Sequence, residues 1–407
     1  MNQVKKNFIL GIASEAFWGA GLGLILPNTI LPLALVDLGQ SASSAGLLGS
    51  IFSMGICLPQ VFSALAVPPR FTNPKSLAWL HFPAIAGPLI SGLGFNFLRT
   101  GDQGGRLAFL FLGFAVFSFG IGLVAPHWIV CVGRCIPESK RGIYFGSSFF
   151  ASGLCATLTG WLGSRWAAEG GMDWGYRFCF LFSVLPLLGS VLVLRLLEPI
   201  QPEPNQPPPQ ALWGSFNLLR RKLAEPGSFR MGMVLTILMT LASAPGNLYT
   251  VYLREQAHME ASWFQLFTPG VTLGGMAGAF FLGWLVDHHG LQKAFAMAFA
   301  AGLASLGLIA FPGHPAGAAL AFVFSGFINS AFPVITLVMI LRIARREEST
   351  VEVGLFNTLM SPWSLAPLFA GWLASTAGYA WAFAAATASC FIAFGLLTKA
   401  GNLDQKP

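Results

Sequence analysis

The sequence has few charged residues. Asp, Glu, Lys and Arg make up 10% of its 407 residues, whereas 55% are hydrophobic and the mean hydropathy is +0.66. An ordinary soluble domain carries roughly a quarter charged residues, so a soluble protein of this composition could not cover its surface. In a bilayer the composition is expected, because the solvent itself is apolar. The net charge of +7 therefore requires no nucleic-acid partner.

Cysteine is also scarce, with six residues that fall mostly inside apolar runs. Cys131 and Cys135 stand four apart, but no second Cys or His pair lies near them in sequence, so we prefer small buried residues to a metal site. The glycine-rich stretches 19–23 and 274–275 lie inside apolar runs and indicate helix packing, not a phosphate cradle. We expect neither an enzyme nor a bound cofactor.

Long apolar runs are abundant, and a membrane-spanning helix needs about 20 mostly apolar residues. Twelve runs of roughly that length occur, at 8–36, 44–66, 77–98, 107–131, 143–163, 178–197, 231–253, 264–286, 294–312, 316–341, 351–376 and 380–398. The fifth is rich in Gly, Ser and Thr. The sequence predicts an all-α integral membrane protein with twelve transmembrane helices in two pseudo-symmetric six-helix bundles.

One polar segment divides these runs six and six. Residues 198–210 read EPIQPEPNQPPPQ, and their six prolines forbid a regular helix, so a solvent-exposed linker is predicted. We assign 1–197 and 229–407 to the two bundles and 198–228 to the linker. Within the linker, 211–223 fits either an amphipathic helix on an anionic membrane surface or a solvated basic loop.

The distribution of positive charge predicts the orientation. If the N-terminus is cytoplasmic, the outside Lys and Arg residues are confined to Arg99, Arg106, Arg165, Arg177 and Arg254, and all the others are inside. The positive-inside rule therefore predicts that both termini are cytoplasmic in a multi-pass plasma-membrane protein, which we take to be in a bacterial inner membrane.

The two halves repeat short patterns. Pro27 and Asn28 have counterparts in Pro245 and Asn247, and Glu138-Ser139 has one in 348–349 at nearly the same interval. These matches around a central linker indicate a duplicated six-span unit.

One loop motif resembles the signature of the major facilitator superfamily, G-x-L-x-D-R-x-G followed by basic residues. Between the eighth and ninth runs the motif positions are filled by Gly283, Leu285, Asp287, His288 and Gly290, with Lys293 shortly after. The resemblance implies that this loop is a gating motif, with Asp287 stabilising one closed state; a charged helix cap is the alternative. A second stretch, Pro137 to Gly142, follows a spacing common in that family.

The sequence also departs from the family pattern. In the corresponding first-half loop Val67 replaces the motif aspartate, Phe114 stands where many proton-coupled members carry arginine, and Ser152-Gly153 replaces the Gly-Pro signature of drug antiporters. These differences argue against ordinary proton-driven drug antiport, while leaving a transporter as the implied function.

Glu15 is the one acidic residue placed clearly within a run. A charge at the bilayer centre costs about 2.5–3.5 kcal/mol on insertion scales, so we predict that Glu15 binds a proton, a coupling ion or a cationic substrate group. The alternative is a carboxylate reaching the cytoplasmic interface.

The resemblance also implies that the first, fourth, seventh and tenth spans line a central cavity. Cavity candidates there and in the eleventh span are Asn28, Thr240, Asn247, Tyr249, Tyr252, Asn329, Asn357 and Trp363. Helix-to-helix hydrogen bonds are the alternative role. Because these side chains are uncharged or aromatic and no Lys or Arg lies deep in a lining span, we expect a neutral, amphipathic or weakly cationic organic solute.

The resemblance thus implies a secondary transporter working by alternating access, coupled to protons or another ion. We expect it to be a monomer in the lipid bilayer with a small-molecule substrate and no nucleic-acid partner. The sequence does not distinguish import by a permease from efflux. The alternative is a non-transporting membrane sensor or assembly factor on the same fold.

Overall fold

The computed structural model describes residues 3–99, 101–137, 140–200, 228–311, 314–336, 339 and 356–399. Every regular element in these ranges is helical. The α-helices are α1 Gln3–Gly23, α2 Ile30–Asp37, α3 Ala42–Cys57, α4 Pro59–Ala66, α5 Pro74–Leu80, α6 Phe82–Phe97, α7 Gln103–Cys135, α8 Arg141–Gly170, α9 Gly175–Leu194, α10 Ser228–Ser243, α11 Tyr249–Glu255, α12 Phe264–His289, α13 Leu291–Ala310, α14 Pro315–Ala331, α15 Ala366–Ala377 and α16 Tyr379–Lys399.

Proline and glycine divide several predicted spans into two helices. The first run is α1 followed by α2, with a break at 24–29 that contains Pro27. Pro245 lies in the short 3-10 segment Ala244–Leu248 between α10 and α11. Proline lacks the amide hydrogen that a continuous helix needs, so the backbone changes direction at both positions. The tenth span ends in a π-helical segment, Phe332–Thr336.

Within the described residues, nine helical stretches are long and apolar enough to cross a membrane. The interrupted first and eleventh runs and the polar fifth run do not meet that measure, although helices occupy each of them. The predicted fold class, an all-α multi-span membrane protein, is confirmed, and the helices are consistent with twelve spans. Most of the linker, including 211–223, lies outside the described residues.

The start of α1 is fixed to the ends of two other helices. The Asn7 amide, fully buried, donates to the carbonyl oxygen of Cys135 at 3.0 Å and to that of Glu198 at 2.7 Å. Beside it, Lys6 Nζ lies 2.9 Å from Glu198 Oε1, and this hydrogen-bonded ammonium lowers the pKa of the exposed Glu198 carboxyl. We call this end of the bundle the terminal end, and the opposite one the far end.

Among the described residues, each half has a tyrosine–carboxylate hydrogen bond at the far end. Tyr176 donates to Asp37 Oδ2 at 2.6 Å, and Tyr379 donates to Glu255 Oε2 at 2.6 Å. In each half, the bond joins the end of the first span to the start of the sixth span. The interval from Asp37 to Glu255 equals that between the two prolines that break these first spans. The bonds are therefore equivalent in position, as a duplicated unit predicts.

Arg106 is buried at the far end, although the sequence placed it in an outside loop. Its residue surface is 3% exposed, and its guanidinium donates to the carbonyl oxygens of Met172 at 2.8 Å and Leu98 at 2.9 Å. Planar guanidinium groups can join several carbonyl oxygens at once. Arg106 thus ties the α6–α7 connection to the α8–α9 connection.

Replacing Asn7 by alanine should destabilise the fold, because the buried carbonyl group of Cys135 and the partly buried one of Glu198 would lose their donor. Leaving a buried carbonyl group unsatisfied costs about 1–3 kcal/mol. We expect a lower thermal unfolding midpoint for Asn7→Ala in detergent micelles. Asn96→Ala is the matched control, since Asn96 is exposed and contacts Arg177 through one long hydrogen bond of 3.4 Å. Equal midpoints for the two variants would contradict this role of Asn7.

Candidate functional site

Glu15 is half-buried where α1 meets α7 and α8. The Trp128 indole on α7 lies near its carboxylate, and the Tyr144 side chain on α8 is close enough to feel the charge of Glu15. Gly11 lies one turn before Glu15, and a Cβ there would overlap the Tyr144 ring. The missing side chain therefore lets Tyr144 pack beside the carboxylate.

Trp128 and Tyr144 belong to a group of packed aromatic rings on α1, α7 and α8. Phe145 lies 5.8 Å from Trp128 and 5.5 Å from Tyr144, and Phe8 lies 5.7 Å from Tyr144, as ring-centroid distances. Tyr144 is only 2% exposed. The side of α7 and α8 that Glu15 faces is therefore largely aromatic.

The neighbouring residue fixes the direction of Glu15. Ser14 Oγ donates to the Ser190 carbonyl oxygen at 3.0 Å and lies 3.1 Å from Ser190 Oγ, which holds α1 against α9. Consecutive helical residues are turned by about 100°, so Glu15 faces away from α9 and towards α7 and α8. Eight positions separate Glu15 from Asn7, about 12 Å along the helix, so the carboxylate lies inside the bundle and not at its terminal surface.

The sequence did not identify Tyr144 as a partner of Glu15, nor give Trp128 a role. The available signal was Gly11, because a glycine at i−4 on the same helix face leaves room for a large side chain from a neighbouring helix. That signal does not say which helix supplies the side chain.

The two halves meet closely towards the far end. Ser43 Oγ donates to Ser375 Oγ at 2.8 Å, and Thr250 donates to the backbone oxygen of Asn28 at 3.0 Å. Further contacts through hydroxyl groups between the halves include Thr157–Thr272 at 2.7 Å, Ser164–Thr268 at 2.6 Å and the Leu368 amide to Ser50 Oγ at 2.9 Å. Such short polar side chains allow helices to approach closely in a membrane.

Glycines make this approach possible between α3 and α15. A Cβ on Gly46 would overlap the Pro367 carbonyl oxygen, and one on Gly371 would overlap that of Ala42. Because these obstacles are backbone atoms, they cannot move aside as a flexible side chain would. We call the contacts between the halves in this region the far-end seal.

Three predicted cavity residues lie at the interface between the halves. Asn28 contributes its carbonyl oxygen to the far-end seal. Asn247 packs against Gly49 and donates to the Ala244 carbonyl oxygen at 3.3 Å. Asn357 donates to Gln60 Oε1 at 3.0 Å, a pairing that sequence reasoning did not find.

The remaining predicted cavity residues are dispersed. Tyr249 is buried in the second half, with its hydroxyl 3.0 Å from Ser305 Oγ, so the structure gives it a packing partner. Thr240 donates to the carbonyl oxygen of Thr236 in its own helix. Asn329 is half-buried, Trp363 is 41% exposed, and Tyr252 lies at the far end. Whether any of them contacts solute stays a prediction.

The predicted gating loop has the expected turn. Gly290 ends α12 with a φ of +85°, in the region that favours glycine. His288 Nδ1 lies 2.9 Å from the Trp284 carbonyl oxygen and its ring stacks on that indole. Gly283 is in α12 and Lys293 is exposed on α13. The Asp287 side chain lies outside the described residues, so its gating role stays a prediction.

Comparisons with known proteins support the family and the fold. A family model described as Major Facilitator Superfamily matches residues 16–364 and again 231–404. A D-xylose-proton symporter is 15% identical, with a TM-score of 0.70 over 100% of both chains. The nucleoside transporter NupG is 15% identical, with a TM-score of 0.66 over 98% of this chain and 100% of its own. A bacterial homologue of the iron transporter ferroportin, in an inward-facing state, is 17% identical, with a TM-score of 0.65 over 97% and 98%. No curated protein matches by sequence.

A cysteine pair should cross-link the far-end seal. In Ser43→Cys/Ser375→Cys the two sulfur atoms would replace oxygens 2.8 Å apart, a separation compatible with disulfide geometry after small adjustments. We expect an intramolecular disulfide under mild oxidation, detected by peptide mass spectrometry.

The matched control is Ser43→Cys/Thr376→Cys. Thr376 is one residue further along α15, is exposed, and bonds its own helix at Trp372. Equal cross-linking of the two pairs, or none in the first pair while both thiols react with maleimide, would contradict the seal.

Proposed function

The chain is a member of the major facilitator superfamily, and from that premise we propose that it moves a small organic solute by alternating access, coupled to a proton or another cation at Glu15. Transport across a membrane is the activity that the family and the transporter folds support. The observation that carries the coupling proposal is the half-buried Glu15 carboxylate inside α1, near Trp128 and Tyr144 and without a basic partner among the described residues.

Glu15 has no basic partner among the described residues. The ion pairs there are Lys6–Glu198 and Arg165–Glu169. A carboxylate inside a membrane protein is stabilised by a counter-ion or by neutralisation, and a transporter can supply either from solution. The site is therefore suited to take up a proton or cation in one state and release it in the other.

The closed far end supports a defined state of the transport cycle. We propose that the two bundles, 1–197 and 229–407, rock about their interface and that the far-end seal excludes solute from that side. With both termini in the cytoplasm of a bacterial cell, the far end is external and the described state is closed to the outside. The ferroportin homologue with a similar fold was solved facing inward.

The solute class follows from the uncharged groups at the interface between the halves. Asn247, Asn357 and Gln60 offer amide hydrogen bonds without a fixed charge. Amide and aromatic groups suit a neutral or weakly cationic molecule better than a polyanion, which needs Arg or Lys. Two proteins of similar fold are named for neutral solutes, D-xylose and nucleosides.

Glu15→Gln tests the coupling. The amide keeps the size of the side chain, but it cannot carry a titratable proton or a negative charge. We expect pH-gradient-driven accumulation by proteoliposomes to fall to the level of empty liposomes, while downhill exchange of the same solute persists. The solute would first be found from a panel of sugars, nucleosides and amines with an internal pH-sensitive dye.

Glu169→Gln is the matched carboxylate control, because Glu169 is exposed and pairs with Arg165 four residues away. It should accumulate solute like the unmodified protein. Unchanged accumulation and pH dependence in Glu15→Gln would refute coupling at this residue. A folded protein that moves no solute in the panel would favour the sensor or assembly-factor alternative.

A further inference from the structure

A cleft of about 740 Å³ lies at the far end, apart from Glu15. Its walls come from the start of α3, the ends of α11, α13 and α15, and the start of α16. The first half contributes Ser41 and Ala42, and the second half contributes the rest. Because several spans begin or end around it, the cleft lies at the height of the membrane–water boundary.

Three aromatic rings form one wall of the cleft. The Tyr252 ring centroid is 5.2 Å from that of Tyr379 and 5.2 Å from that of Phe383, and Tyr379 and Phe383 are 6.3 Å apart. All three residues line the cleft. Aromatic faces attract cations through their quadrupole, and several rings together recognise ammonium groups.

Glu255 supplies the one charged side chain among the described residues that line the cleft. Tyr379 donates to its Oε2 at 2.6 Å, and its Oε1 receives no hydrogen bond from the described residues. The adjacent cation, Arg254, is directed elsewhere: its Nη1 donates to the Met259 carbonyl oxygen at 3.1 Å, and its charge acts on Asp37. The cleft therefore carries an uncompensated negative charge beside aromatic rings.

The equivalent bond in the first half shows a different environment. Tyr176 is fully buried, Asp37 is half-buried, and the Arg254 charge acts on that carboxylate. Glu255, by contrast, is exposed to the cleft. The Tyr176–Asp37 bond thus lies within a buried helix contact, whereas the equivalent Tyr379–Glu255 bond lies beside an accessible cleft.

We propose that this cleft binds an organic ammonium ion, with the cationic group between the Glu255 carboxylate and the faces of Tyr252, Tyr379 and Phe383. The site is distinct from Glu15 and does not depend on coupling there. A free amine and the ammonium headgroup of a lipid share the chemistry that these groups recognise.

The test compares choline with 3,3-dimethylbutan-1-ol, a neutral molecule of the same shape, by isothermal titration of the protein in maltoside micelles. We expect choline to bind and the neutral molecule to bind at least about tenfold more weakly. Equal binding of the two molecules, or no binding of choline, would overturn the proposal.

Glu255→Gln removes the charge and keeps an acceptor for Tyr379, so it should fold and bind choline about tenfold more weakly or worse. Glu260→Gln is the control, because Glu260 is an exposed carboxylate nearby that contacts Ser262 and does not line the cleft. Tyr252→Leu, which removes one ring face, should weaken choline binding by about two- to thirtyfold. Equal affinities of Glu255→Gln and Glu260→Gln would refute the assignment.

Two further titrations locate the ligand. Glu15→Gln should leave choline binding unchanged; loss of binding there, with retention in Glu255→Gln, would place the ligand at Glu15 and overturn the proposal.

Adding phosphatidylethanolamine to the micelles separates the two sources of the ammonium group. Competition with choline supports a lipid headgroup, and unchanged binding supports a free solute.

Discussion

Polar groups inside a membrane must find their partners within the protein, because lipid offers none. That constraint explains the arrangement of nearly every polar side chain described above. Asn7 satisfies two backbone oxygens at the end of other helices, and Arg106 satisfies two more at the far end. Where helices are broken, as between α1 and α2, a side chain from the other half supplies the missing donor: Thr250 meets Asn28.

The same constraint links structure to function. Hydroxyl and amide groups that join the halves through single hydrogen bonds can be exchanged for others in the rocking motion that we propose, whereas a buried ion pair would be costly to separate. Glycines at Gly46 and Gly371 let backbone meet backbone, so the far-end seal closes without large interlocking side chains. Glu15 is the exception, since no basic side chain among the described residues pairs with it, and Trp128 and Tyr144 lie nearby.

Hydropathy alone was sufficient to predict the fold class, because a lipid-facing helix must be apolar over a defined length. The break in the first span was less predictable: Pro27 indicated an interruption, but not that helix would resume at Ile30. The site was predicted in part. Glu15 stood out as an acid in an apolar run, whereas Tyr144 and Gln60 became visible only when distant segments were brought together. For Tyr249 the sequence suggested a cavity role, whereas the structure shows that its hydroxyl is hydrogen-bonded to Ser305 within the second half.

We propose that the far-end seal belongs to one of two states of a rocking pair of bundles. Gly46→Val tests it, because the added side chain must push α15 away, whereas Gly307→Val adds its side chain in open space. Spin labels at the exposed far-end positions Gln103 and Glu260 would report the separation of the halves by pulsed electron resonance.

A second label pair, at Lys75 and Lys293, would report the terminal end in the same samples. The account predicts that Gly46→Val lengthens the far-end distance and shortens the terminal-end distance, while Gly307→Val changes neither. A longer far-end distance with no change at the terminal end, or identical distances in both variants, would contradict alternating access in this protein.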